Sequence, residues 1–101
     1  MAVIVREVVE SPKRQGYREQ EAYTFLLTVT PASAAVKVFN PSYQDVSSSR
    51  LSGSSSIVGS TVITPLVLFT EADIDQEFRL ECEYLSGGNT LIDYCRIVVE
   101  R

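Results

Sequence analysis

The sequence predicts a single all-β domain of about seven strands. Side chains alternate between apolar and polar with a period of two along most of the chain, which is typical of strands that bury one face. Turn-forming residues separate these segments at short intervals, and no segment longer than one turn has a helical period. A length of 101 residues supports one hydrophobic core, so we expect one domain over 1–101.

The clearest alternation lies in the segment 21–30, where only Leu26 interrupts the pattern. At the start of the chain, a weaker stripe of Val3, Val5 and Val9 is interrupted by Glu7 and predicts an edge strand. Segment 11–16 contains proline and glycine and predicts a turn between these two strands. The side chains expected to face the core in the stronger segment are Tyr23, Phe25, Leu27 and Val29.

The middle of the chain predicts shorter elements. We expect a strand over 34–40, with Val36 and Val38 inward, that ends at Pro41. The serine-rich segment 47–56 predicts a short crossing strand flanked by loops, and 61–69 predicts a strand in which Pro65 marks an edge position or a bulge.

Two further segments complete the prediction. Residues 70–75 predict a single helical turn with Thr70 as its N-cap. After it, a four-residue loop at 87–90 would pair Cys82 with Cys95 on an apolar face and Glu81 with Arg96 on the opposite face.

These elements predict an antiparallel two-layer sandwich with Greek-key connections, and a partly open barrel is the main alternative. The sandwich would be immunoglobulin-like in architecture only. The chain contains no tryptophan, and Cys82 and Cys95 are too close in sequence to form the inter-sheet bridge of antibody domains.

The charge balance argues against several classes of partner. Thirteen acidic and nine basic residues give a net charge of −4, so the average field repels nucleic acid. No apolar run approaches the length of a membrane span, and the first residues lack the layout of a signal peptide, so we expect synthesis in a cytoplasm and no membrane partner.

The residue types also argue against catalysis. The chain has no histidine, which excludes Ser-His-Asp and Cys-His sites and the usual zinc hydrolase sites. Both cysteines fall on the predicted buried face, where packed thiols are the first expectation and a cross-strand disulfide is the alternative. We therefore expect no enzyme activity, no catalytic residue, no cofactor and no metal site.

Several small clusters have both a structural and a functional interpretation. Glu71, Asp73 and Asp75 predict a solvated turn, with calcium binding as the alternative. The pair at 87–88 predicts a hairpin turn and not a phosphate site, because no helix or P-loop lysine follows it.

Basic and aromatic residues in the loops have the same ambiguity. The basic residues Lys13, Arg14 and Arg18 predict a solvated surface or a contact with an acidic neighbour. Three aromatic residues are not placed by the alternation, and they either cap the end of the domain or belong to an interface. They are Tyr17, Phe39 and Tyr43.

The C-terminal half, from Ile57 to Glu100, has a characteristic strand rhythm and set of turn residues. The segments concerned are Gly59-Ser60-Thr61, Phe78-Arg79-Leu80, Leu85-Ser86-Gly87-Gly88-Asn89 and Ile97-Val98-Val99-Glu100-Arg101. This half of the chain resembles small virion-associated proteins of tailed bacteriophages, of the fibre-to-tail adaptor or head and neck accessory type. The N-terminal third follows the pattern less closely.

The resemblance implies an immunoglobulin-like sandwich that is made in the host cytoplasm and assembled into the virion. Its partners would be other virion proteins, with homo-oligomers in a symmetric assembly. The leading hypothesis is an adaptor that bridges tail or neck components and fibres through protein–protein contacts. The alternatives are a capsid decoration protein that stabilises the shell, and a free-standing module that binds carbohydrate or a host protein.

Overall fold

The computed structural model describes residues 3–8 and 11–101, and this part of the chain is all-β, as predicted. Its helices are α1 (Ser47–Arg50) and one 3-10 turn (Glu71–Asp73). None of the helices in these ranges has the length and apolar character needed to cross a bilayer. The strands are β1 (Val3–Glu7), β2 (Lys13–Gly16), β3 (Gln20–Glu21), β4 (Thr24–Leu26), β5 (Ser33–Phe39), β6 (Leu51–Ser52), β7 (Ser56–Val58), β8 (Thr61–Ile63), β9 (Leu66–Leu68), β10 (Glu77–Ser86) and β11 (Asn89–Glu100).

The largest sheet has the order β1-β11-β10-β5, and β2 continues β1 along the same edge of β11. The pairs β10-β11 and β10-β5 are antiparallel, but β1 and β2 both run parallel to β11. The expectation of a purely antiparallel arrangement is therefore wrong. Parallel neighbours need a long connection between them, and here almost the whole chain separates β1 from β11.

The remaining strands form two three-stranded sheets, β3-β9-β6 and β4-β8-β7. The two sheets follow each other along the same three chain segments. Between the pairs Glu21↔Val67 and Thr24↔Ile63, one segment has two residues and the other has three. This extra residue is a bulge at Pro65, one of the two alternatives that the sequence predicts there. Such interruptions contribute to a total of eleven strands within residues 3–8 and 11–101, where seven were expected for the chain.

One core lies between these sheets and receives side chains from all three of them. The alternation predicted for segment 21–30 is confirmed, because Phe25 and Leu27 are buried and Leu26 is 78% exposed. Of the first strand, Val5 is exposed and Val9 lies outside the described residues. The fully buried apolar side chains include Val38, Val62, Val67, Leu80, Cys82, Ile97 and Val99.

The β10-β11 hairpin keeps the predicted faces but not the predicted register. Its loop is only Gly87-Gly88, and Ser86 pairs with Asn89. Both glycines have positive φ, 57° and 79°, which favours a tight two-residue turn. The register is therefore shifted by two residues, so that Cys82 pairs with Asp93 and Glu81 with Tyr94. A shift of two residues leaves each side chain on its original face.

The segment expected to be a turn, 11–16, contains a strand instead. Residues 13–16 form β2 and pair with the end of β11. Gln15 is fully buried there, and its Nε2 donates hydrogen bonds to the Glu19 carbonyl (3.0 Å) and the Val67 carbonyl (2.7 Å). The Tyr23 hydroxyl donates to Gln15 Oε1 at 2.6 Å. This amide thus joins β2 to the sheet that contains β9.

The serine-rich segment has more structure than expected, because it contains the short helix α1 before β6. The helical turn predicted at 70–75 is confirmed by the 3-10 turn, where Asp73 Oδ2 accepts a hydrogen bond from the Thr70 amide at 2.9 Å. Arg50 Nη2 donates to the same carboxylate at 2.9 Å. Asp73 therefore has a structural role, connecting the turn to α1.

Candidate interaction surface

Two stretches of the chain, 22–36 and 51–70, contain no Asp, Glu, Lys or Arg. They supply β4 and all of β6 to β9. Natural sheets usually place charged side chains along exposed strands, since these prevent unwanted pairing with other chains. The sheet β4-β8-β7 is built without any of them.

Apolar side chains lie exposed on this sheet. Leu26 and Val58 both pair with Thr61, so they share its outer face. Leu26 is 78% exposed and Val58 is 64% exposed. Ile57, the neighbour of Val58, pairs with Val62 and is 42% exposed. We call Leu26, Ile57 and Val58 the apolar surface.

The sheet also has two open edges. The amide of Thr64 donates to the Tyr23 carbonyl, and the amide of Leu27 donates to the Ser60 carbonyl, both at 2.8 Å. Because hydrogen-bonding direction alternates along a strand, the backbone groups of Thr24 and Leu26 point away from β8. Within the described residues no backbone hydrogen bond reaches them.

The same alternation applies to β7. The backbone groups of Val62 form hydrogen bonds with β4, so those of its neighbours in β8, Thr61 and Ile63, face β7. Because Ile57 is paired with Val62, its own backbone groups point away from β8. Among the described strands, β7 pairs with β8 alone. Both edges of the sheet therefore expose backbone donors and acceptors next to uncovered apolar side chains.

A cleft of about 960 Å³ lies beside the open edge of β4. One wall is formed by the segment from β3 to β4, and includes Tyr23 and Phe25. The opposite wall comes from β1 and β2 with Arg6 and Arg14, and Asp93 forms part of the β11 side. The cleft thus separates the edge of β4 from the edge of the large sheet.

Four of the six charged side chains that line this cleft have ion-pair partners in the same chain: Arg6, Glu7, Arg14 and Asp93. Asp93 is 6% exposed, and the Arg6 Nη2 atom lies 3.3 Å from its Oδ1. Arg6 also donates to the Tyr84 hydroxyl at 3.0 Å, and this hydrogen bond together with the Asp93 charge raises the pKa of Arg6. Arg14 Nη1 pairs with the Glu100 carboxylate at 2.8 Å. The other two, Lys13 and Glu21, have opposite charges, so the lining has no net charge and does not favour a charged occupant.

The outer face of the large sheet carries a second feature, which we call the aromatic cluster: Phe39, Tyr43, Arg79, Glu81 and Tyr94. The Phe39 and Tyr43 rings stack at 4.5 Å, and the Arg79 guanidinium lies 3.6 Å from the centre of the Tyr94 ring. Arg79 Nε lies 2.7 Å from Glu81 Oε2, outside hydrogen-bonding geometry, so this contact is an ion pair.

Tyr43 is held over this cluster by an unusual backbone conformation. Its φ is 58°, which a non-glycine residue rarely adopts. Its amide donates to the Asn40 carbonyl at 2.8 Å, and its hydroxyl donates to Glu81 Oε2 at 2.8 Å. The hydroxyl contact and partial burial raise the pKa of Tyr43. Phe39 and Tyr43 are two of the three aromatic residues that the sequence alternation did not place, and in the structure their rings stack on each other.

The other predicted clusters are dispersed or used within the fold. Lys13 and Arg14 line the cleft, but Arg18 turns to the hydroxyl of Tyr17 at 2.8 Å. No group of three or more His, Cys, Asp or Glu side chains in residues 3–8 and 11–101 is arranged to hold a metal ion.

The cysteines are packed thiols. No disulfide joins Cys82 to Cys95, and both are buried on the same face of the hairpin. Burial, followed by the charge of Asp93, raises the pKa of Cys82 to about 12. This thiol therefore stays protonated at neutral pH and is a poor nucleophile.

Comparisons of the chain with protein-family models, curated proteins and solved structures found no match. The apolar surface was not identified from the alternation alone. Its signals in the sequence are Leu26, which interrupts the pattern, and the uncharged stretches 22–36 and 51–70.

Proposed function

We propose that this chain is a structural protein of a tailed-bacteriophage virion, an adaptor that bridges tail or neck components and fibres. The observation that supports it is the uncharged sheet β4-β8-β7, whose open edges and exposed Leu26 and Val58 are suited to contact with other proteins. In this proposal the chain is made in the host cytoplasm, resides in the virion, and works without catalysis or a cofactor.

The proposed fold is an immunoglobulin-like sandwich. Two strand orders support it: β1-β11-β10-β5 in one layer, and β4-β8-β7 with its continuation β3-β9-β6 in the other. The strands can be grouped into seven consecutive segments: β1-β2, β3-β4, β5, β6-β7, β8-β9, β10 and β11. The second, fourth and fifth segments then share one layer, and the third, sixth and seventh share the other. An immunoglobulin domain groups its strands in the same way. A partner at the apolar surface would then contact the layer that contains β4-β8-β7.

The test is to purify particles of the source phage and identify their proteins by mass spectrometry. We expect this chain at a fixed copy number per particle. Particles that lack it would overturn the proposal, and so would substrate turnover by the isolated domain.

A matched pair of variants connects the role to the surface. Leu26→Lys should prevent incorporation into particles, because it places a charge on the apolar surface. Leu85→Lys is the control, since Leu85 is also exposed (44%) but lies in β10 of the large sheet. Equal incorporation of both variants would exclude the apolar surface as the contact.

A capsid decoration protein would use the same surface across capsomer junctions, and a reconstruction of the particle distinguishes the two positions. The aromatic cluster favours a different candidate, a carbohydrate- or host-binding module, because Tyr43 is 58% exposed and its side chain is held by the Glu81 hydrogen bond and the Phe39 ring. A glycan array tests that candidate, with Tyr43→Ala as the variant that should lose any binding.

A further inference from the structure

We propose that a second copy of this chain docks its β7 edge against the open β4 edge, so that the sheet β4-β8-β7 continues from one copy into the next. The inference rests on the proposed structural role of the same surface and names its partner. It goes further in specifying which strands meet, in which direction and in which register.

The register within one chain defines the contact. Phe25, Val62 and Ile57 form one row across the sheet, with the first two buried in the core. In the adjacent row, Leu26 and Val58 flank Thr61 on the outer face. Inner and outer rows therefore both end in an exposed apolar side chain on β7.

Direction follows from the pairing. Both β4 and β7 are antiparallel to β8, so they run parallel to each other. When β7 of a second copy lies beside β4 in this direction, Ile57 of that copy reaches the row of Phe25. Val58 of that copy then reaches the row of Leu26. The exposed apolar side chains cover each other, and the outward backbone groups of both edges gain partners.

The size of the cleft fits such a strand. One residue of a strand inside a two-layer packing occupies about 160 Å³, from its rise, the strand spacing and the sheet spacing. The cleft of about 960 Å³ therefore accommodates about six residues. The strand β7 with its flanks, 54–59, has this length.

Charge also favours this occupant. The segment 51–70 carries no charge, and Arg6 and Arg14 in the cleft are already paired with Asp93 and Glu100. A charged strand from another protein would lose hydration on entering a cleft whose six charged side chains, three of each sign, give no net attraction. An uncharged strand does not have this cost.

The contact joins two different surfaces, so it is heterologous and repeats from copy to copy. Such a contact closes into a ring or continues as a filament, depending on the rotation between neighbours. A symmetric contact of β7 with β7 would instead give a dimer and leave every β4 edge open.

Disulfide cross-linking tests the register directly. The chain with both Leu26→Cys and Val58→Cys should form covalent multimers under mild oxidation, seen as a ladder in non-reducing electrophoresis. A bond within one chain is excluded, because β8 separates these positions by two strand spacings, about 10 Å, beyond the reach of a disulfide. The register-shifted pair Thr24→Cys with Val58→Cys detects a two-residue slip.

Three controls define the outcome. The unmodified chain, which keeps buried Cys82 and Cys95, should stay monomeric on the gel. The single variants Leu26→Cys and Val58→Cys should each form no dimer, but a mixture of the two should form dimers only. A dimer from Val58→Cys alone indicates the symmetric contact and overturns the proposal. Absence of ladders from both double variants overturns it too.

Sedimentation gives an independent measurement. The unmodified chain should associate with increasing concentration. The variants Leu26→Lys and Val58→Lys should each raise the midpoint, the protein concentration at which half of the chain is associated, by about tenfold or more. Leu85→Lys should leave the midpoint unchanged, and circular dichroism checks that each variant folds. A chain that stays monomeric at millimolar concentration overturns the self-contact. If particles nevertheless contain the chain, the proposed structural role stands and its partner is a different protein.

Discussion

Replacing Gln15 tests the strongest polar contact between β2 and the sheet that contains β9. The side chain has 0% exposure and makes three hydrogen bonds, to the Glu19 carbonyl, the Val67 carbonyl and the Tyr23 hydroxyl. At about 1 kcal/mol for each bond, Gln15→Ala should lower the free energy of unfolding by about 3 kcal/mol or more, since a cavity also remains. This is a large part of the stability of a domain of this size, roughly 5–15 kcal/mol.

Companion variants separate the contributions. Gln15→Met keeps the volume and loses only the hydrogen bonds, whereas Tyr23→Phe removes one bond and should cost about 1 kcal/mol. Gln76→Ala is the control, because the exposed side chain of Gln76 makes a single long hydrogen bond (3.3 Å) and its loss should change stability by less than about 0.5 kcal/mol. Urea unfolding followed by circular dichroism measures each value. Losses below about 1 kcal/mol for both Gln15 variants would refute the assigned role of this amide.

Three further predictions concern single groups. Because burial raises the pKa of Cys82 to about 12, iodoacetamide at pH 8 should modify this thiol about a thousandfold more slowly in the folded chain than in urea, measured by peptide mass spectrometry. Equal rates would contradict its burial. Gly87 has a φ of 57°, so Gly87→Asn should stay within about 0.5 kcal/mol of the unmodified chain and Gly87→Val should lose more than about 1 kcal/mol in thermal melts. Hydrogen bonds from Ser11 and Arg96 lower the pKa of Glu7, and those from Ser47 lower the pKa of Asp45, so their stabilisation is complete above the unfolded pKa values and is lost as pH falls below about 4. Glu7→Gln with Asp45→Asn should make stability less dependent on pH in that range, and an unchanged acid profile would exclude this contribution.

In the β10-β11 hairpin, side-chain alternation predicts the buried face but not the pairing register. Alternation correctly predicted that Cys82 and Cys95 share the buried face, but the predicted pairing of these two residues is wrong by two positions. A shift of two residues conserves every face, so hydrophobic patterning cannot detect it. The loop decided the register, because Gly87 and Gly88 both adopt positive φ and close the turn with two residues.

Gln15 and the apolar surface could not be predicted for a related reason. A polar residue close to proline, lysine and arginine in the sequence is typical of a turn. In the structure Gln15 is buried, and its side-chain amide donates a hydrogen bond to the Val67 carbonyl, 52 positions away. Likewise, the sequence contains Leu26 and Val58 but does not specify that β4 and β7 lie at the edges of their sheet.

The sequence by itself determined the all-β class, the inward face of the main strands, the hairpin turn at 87–88 and an edge position or bulge at Pro65. These follow from side-chain alternation and from the local geometry of glycine and proline, which act over a few residues. Only the tertiary structure decided which strands are neighbours, that β1 and β2 run parallel to β11, and which edges stay open. Strands with similar apolar patterns can pair in many ways, and burial of one shared core selects among them.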